Sequence, residues 1–141
     1  MKFSELSWYK ALAFLGALTL AVTPSSTIAG HLPAQESEIK PGGNLSHSKL
    51  NNTDLQGVNL YGANLKDANL REVNLSSDKL VDADLRGTDL TSSNLSDANL
   101  RGANLSSANL SDANFSSANL TASNLNGIQA INLKGCPASL P

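Results

Sequence analysis

The sequence predicts an all-β solenoid, and three observations predict it. From Leu45 to Leu125 every fifth residue is Leu, except Phe115, which makes seventeen consecutive hits in one frame. The residue two before each is small in most units, as at Ala63, Ala68, Ala83, Ala98, Ala103, Ala108, Ala113 and Ala118. The residue between the two is Asn or Asp almost throughout. A five-residue apolar period fits neither a helix nor a flat strand, and a fixed internal repeat is the signature of a stacked architecture.

Each element of the unit A-(N/D)-L-x-x has a physical reason. A chain that turns a corner every five residues must place one large and one small apolar group per side in a narrow interior, and Leu with Ala fills such a space at native density. Asn and Asp suit the turn because their side chains bond nearby backbone groups and tolerate unusual dihedrals. Gly57, Gly62, Gly87, Gly102 and Gly127 share one phase, two after the central residue. That is where glycine eases a tight corner.

The units ANLKD, ADLRG, ANLRG, ANLSS and ANFSS resemble those of the pentapeptide-repeat family over about residues 43–127. What the resemblance implies is a right-handed quadrilateral β-helix with four pentapeptides per coil, hence about four coils. The tail wording GCPASLP is similar to tails of exported cyanobacterial members. Some members mimic duplex DNA and inhibit gyrase through a long acidic surface. Here the repeat carries nine Asp or Glu against six Lys or Arg, with opposite signs adjacent at Lys66-Asp67 and Arg71-Glu72. No nucleic-acid partner is expected.

Outside the repeat, residues 1–29 read as a signal peptide. Lys2 and Lys10 supply positive charge, Ala11 to Val22 is an apolar run of h-region length, and Thr27 with Ala29 forms a loose A-x-A-like cleavage site before Gly30. The run is shorter than the ~20 apolar residues that span a bilayer. An uncleaved anchor and an amphipathic extension are the alternatives, with Glu5 the residue least suited to a signal. Export implies the periplasm, a thylakoid lumen or the extracellular space, with no membrane association after cleavage. Residues 30–42, with Pro33, Pro41, Gly42 and Gly43 in or beside them, read as a linker or N-terminal cover. Residues 128–141 lose the spacing and read as a C-terminal cap, because a solenoid end exposes its core and strand edges.

Composition argues against several chemistries. Net charge is −2 and charged residues are 16% of the chain, so no strong single-sign field attracts a charged partner. His31, His47 and Cys136 provide no zinc spacing. The many serines have no histidine within the repeat body to activate them. Carboxylate pairs such as Asp82 and Asp84 belong to outward repeat positions, and no phosphate loop is present. The N-x-S/T triplets, such as that at Asn44, follow mechanically from Asn before Leu and Ser after it. The expectation is a non-catalytic protein with no cofactor and no metal. Cys136 cannot form an internal disulfide, which leaves a free or buried thiol or an intermolecular bond.

Two positions stand out. Asp78 occupies an inward small position in SSDKL, with Lys79 in place of the usual Asn or Asp. A buried, unpaired carboxylate is costly, so either it accepts backbone N–H groups or the coil bulges there; the bulge is expected. With four units per coil, residues twenty apart stack, so Tyr61, Val81, Arg101 and Thr121 form one outward column. Tyr61, Val81 and Arg101 are the candidate binding residues, for a protein partner or for self-association. The competing expectation is a structural or stress-protective solenoid that recognises ice or glycans through hydroxyl rows, for which Ser76, Ser96 and Ser116 form a column.

Overall fold

The computed structural model describes residues 38–141. The expected signal peptide and residues 30–37 lie outside the described residues. Sixteen parallel single-residue β-bridges join each bridging residue to the one twenty further on, from Asn44 with Asn64 to Asn119 with Ser139. One coil is therefore twenty residues, or four five-residue sides.

The unit Ala63-Asn64-Leu65-Lys66-Asp67 shows how the repeat satisfies its backbone. Leu65 N–H donates to the Asp84 carbonyl at 2.8 Å and Asp67 N–H to the Arg86 carbonyl at 2.8 Å, both in the next coil. Asn64 N–H donates backwards to the Gly43 carbonyl at 2.9 Å, and Ala63 N–H closes the preceding corner on the Leu60 carbonyl at 3.0 Å. The fifth amide, Lys66 N–H, lies at the corner and donates to the Asn64 side-chain Oδ1 at 3.1 Å. All five amides are thus bonded, as buried or half-buried backbone requires.

That arrangement refines the expected role of Asn and Asp. Their side chains do bond the local backbone, two residues on. The unusual dihedral falls elsewhere, two residues after the central Leu or Phe: twelve non-glycine residues there, Asp67 and Glu72 among them, have φ between 56° and 62°. Each left-handed corner stores about 1–3 kcal/mol, and its N–H bond into the next coil holds it in place.

The interior is a ladder of apolar side chains. Leu50 through Leu105 in the five-residue frame are fully buried, and the alanines two before them are buried with them. Five inward hydroxyl residues are also buried, and three of these bond the carbonyl three residues earlier: Thr88 to Leu85 at 2.8 Å, Ser93 to Leu90 at 2.7 Å and Ser123 to Leu120 at 2.8 Å.

The two ends differ. At the N-terminal end Ile39, out of the repeat frame, turns inward and is buried. Asn44 N–H has no coil beneath it and donates instead to the Glu38 carboxylate at 3.1 Å. Gly43 is required at this closure, since a Cβ there would collide with the Glu38 carbonyl. At the other end the backbone keeps the twenty-residue offset after the side-chain pattern lapses: Gln129, Lys134 and Ser139 bridge Asn109, Asn114 and Asn119. This last winding covers Leu110, Phe115 and Leu120, while its own Ile131, Leu133 and Leu140 are 66%, 46% and 68% exposed.

The expected bulge at Asp78 is absent. Lys79 bridges both Asn59 and Asn99, and the inter-coil bonds Lys79 N–H to Val58 carbonyl and Asn99 N–H to Asp78 carbonyl are each 2.9 Å. The Asp78 side chain points inward, its Oδ1 accepts from Val58 N–H in the coil beneath at 2.8 Å, and the register stays intact.

Candidate binding surface

The outward column through Tyr61 is held by the corner amides. Gly42 N–H donates to the Tyr61 carbonyl at 2.8 Å, Gly62 N–H to Val81 at 2.9 Å, Asp82 N–H to Arg101 at 2.9 Å and Gly102 N–H to Thr121 at 2.9 Å. The three candidate residues therefore lie on successive coils, one above the other, at the ~4.8 Å spacing of paired strands. Tyr61 is 53% exposed, Val81 is half-buried and Arg101 is exposed.

The adjoining corner residues are Gly62, Asp82, Gly102 and Ala122. A Cβ on Gly102 would collide with the Asp82 carboxylate, so the absent side chain makes room for Asp82 to lie along the stack axis. The neighbouring basic residues behave differently from Arg101. Arg71 pairs with Asp89 at 3.2 Å, Arg86 with Asp84 at 2.6 Å and Lys66 with Asp67 at 3.8 Å. Among the described residues Arg101 has no ion-pair partner, and its guanidinium remains available.

Sequence reasoning named Val81 but missed what its backbone N–H adds to this surface. Tyr61, Arg101 and Thr121 donate their own N–H groups to Asn59, Asn99 and Asn119 Oδ1, at 3.2, 3.2 and 3.0 Å. Val81 has Lys79 two residues before it instead, and a lysine side chain cannot accept. Its N–H is left without a protein acceptor among the described residues. The signal was present in the sequence as the break in the Asn/Asp column at Lys79.

The alternative hydroxyl column is less available. Ser76 is buried, and Ser116 Oγ donates to Asn114 Oδ1 at 2.7 Å. Behind it runs an amide ladder, with Asn74 donating to Asp54 at 2.9 Å, Asn94 to Asn74 at 3.3 Å and Asn114 to Asn94 at 3.1 Å. Its side-chain capacity is spent within the ladder. Cys136 is exposed as a free thiol, and among the described residues no group of His, Cys, Asp or Glu is arranged to hold a metal ion. No helix among the described residues is long and apolar enough to cross a membrane.

A solenoid of twenty-residue coils with this inward pattern defines a class, and comparison with known proteins places the chain in it. The family model of pentapeptide repeats matches in eight copies, at residues 44–76, 79–106 and 93–132, and the chain belongs to that family. The matched stretches break at Ser77 and Asp78, where the pattern itself breaks. The pentapeptide repeat protein Rfr23 from the cyanobacterium Cyanothece 51142 is 38% identical, with a TM-score of 0.66. The match covers 67% of this chain and 65% of that one, so the chain spans about two thirds of that protein's length. A pentapeptide repeat protein from Nostoc PCC 7120 is 29% identical over 62% of this chain and 84% of that one, with a TM-score of 0.42. One from the Arabidopsis thaliana thylakoid lumen is 28% identical over 62% and 58%, with a TM-score of 0.26. Among curated proteins, no relative matches this chain.

Proposed function

We propose that the chain is an exported, non-catalytic binding or scaffold module of right-handed quadrilateral form, and that it meets a protein partner or a second copy through the Tyr61–Val81–Arg101 column. The observation that carries this reading is the coincidence, on three stacked residues, of an exposed aromatic ring, an unsatisfied backbone donor and an unpaired guanidinium. Aromatic and arginine side chains dominate contact energetics. An N–H beside a guanidinium suits a carbonyl or carboxylate on the partner. Export rests on the charged start, the apolar run Ala11 to Val22 and the Thr27/Ala29 pair.

The hydroxyl-face alternative is less well supported, because the column it needs is partly buried and internally bonded. The test is the double variant Tyr61→Ala/Val81→Ser. It should keep the circular dichroism and melting of the parent while losing at least tenfold in self-association or in capture of a partner from the exported fraction. A double variant that retains every contact of the parent overturns the assignment of this surface.

A further inference from the structure

The inward column through Asp78 runs Val58, Asp78, Ala98 and Ala118, on four successive coils. All four are buried, and Asp78 is 0% exposed. Its Oδ1 accepts from Val58 N–H at 2.8 Å, sharing a donor that also reaches the Leu55 carbonyl at 3.1 Å. Its Oδ2 is equally buried and has no hydrogen-bond partner. A carboxylate with one oxygen on a shared amide and the other against an apolar interior lacks what an ion needs.

No counter-charge repairs this. In the coil beneath, Asp54 is the charged neighbour, and its field opposes ionisation of Asp78. In its own coil Lys79 follows directly, but its side chain is on the exposed face. In the coil above, the stacked residue is Ala98, and Asp97 beside it is at an exposed corner.

We infer that Asp78 is a proton-binding site built into the core: the stack folds around the neutral acid, and the proton is the ligand that completes the coil. Burial, opposed in part by the Val58 and Gly57 amides and reinforced by Asp54, pushes the carboxyl up from 3.8 to about 8. The sign follows from linkage. Between those values the folded chain binds one more proton than the unfolded chain, so the contribution of Asp78 to stability is full below 3.8 and is lost as pH rises through about 8. With one proton linked, the folding equilibrium constant falls about tenfold per pH unit across the window. A medium that acidifies tightens the coils around Asp78, and one that turns alkaline loosens them.

The test uses the whole chain and Asp78→Asn, which keeps the shape and the acceptor for Val58 but cannot ionise. Urea unfolding is followed by circular dichroism between pH 3.8 and about 8. The difference between parent and variant should change by about tenfold in equilibrium constant per pH unit. Parallel curves for parent and variant overturn the proposal. Infrared spectroscopy of the unmutated protein gives a second readout, independent of how the variant folds. A protonated-carboxyl carbonyl band should persist at neutral pH and disappear only near or above the stated transition, and a neutral-pH spectrum without that band also overturns the proposal.

Discussion

At the scale of single residues, each inward Leu is worth about 1.5–3 kcal/mol by burial, and its replacement by a charge adds an ion that nothing can pair. Leu95 is fully buried between coils. Leu95→Ala should lower stability by about 2–5 kcal/mol, and Leu95→Asp should abolish the cooperative transition seen by circular dichroism. A folded, cooperatively melting Leu95→Asp protein would show that the frame of inward residues is misplaced. The surface carboxylates set the acid limit. The Asn44 amide and Lys40 hold Glu38 below its ordinary value, and the Arg86 guanidinium does the same for Asp84. Burial pushes Asp89 up, but Thr91 and Arg71 outweigh it, so it too is lowered. Their contribution is present above the unfolded values of 3.8 to 4.5 and is lost as pH falls through the lower folded ones. Together with the opposite sign at Asp78, this places the stability maximum near those unfolded values, measurable as the pH of the highest urea midpoint. Much at this scale was legible beforehand: which Leu and Ala face inward follows from their spacing. The fate of Asp78 did not follow, because spacing says where a side chain points but not whether a neighbouring coil offers it an amide.

At the scale of the five-residue element, the Asn/Asp position is explained by one hydrogen bond, the side-chain acceptor for the corner amide. Fifteen units between Asn44 and Asn126 make this bond. The units with Lys49 and Lys79 in that place do not, which leaves the corner amides of Asn51 and Val81 without it. Lys79→Asn should therefore stabilise the chain by about 0.5–1.5 kcal/mol, since the Lys79 side chain is exposed and replacing it removes no core contact. If Val81 N–H serves a partner, the same change should weaken binding while strengthening the fold. A lower urea midpoint for Lys79→Asn would contradict the role assigned to the Asn/Asp column. The sequence pointed to local bonding by Asn and Asp but put the unusual dihedral on the wrong residue. Glycine at only some corners hid the fact that every corner is left-handed, since Asp, Ser, Glu and Ala occupy the same conformation elsewhere.

At the scale of the whole molecule, the proposed function depends on which units share a face, and that depends on the number of units per coil. The five-residue spacing alone cannot supply that number; the resemblance to the family did, and the twenty-residue bridges bear it out. The ends are unequal in a way the tail sequence only partly announced. Ile39 and Glu38 close one end, while at the other the backbone keeps winding under side chains that no longer face inward. The column proposed to bind lies between them, and its existence rests on register. In a Cys136→Ser background, Tyr61→Cys with Val81→Cys places two thiols on adjacent coils, within the Cα separation of about 4.4–6.8 Å that a disulfide accepts. Oxidation should close an intramolecular bond in high yield without loss of fold, while Tyr61→Cys with Arg71→Cys, two corners away, should remain reduced. Cross-linking of the second pair and not the first would contradict the twenty-residue coil and, with it, the surface built on it.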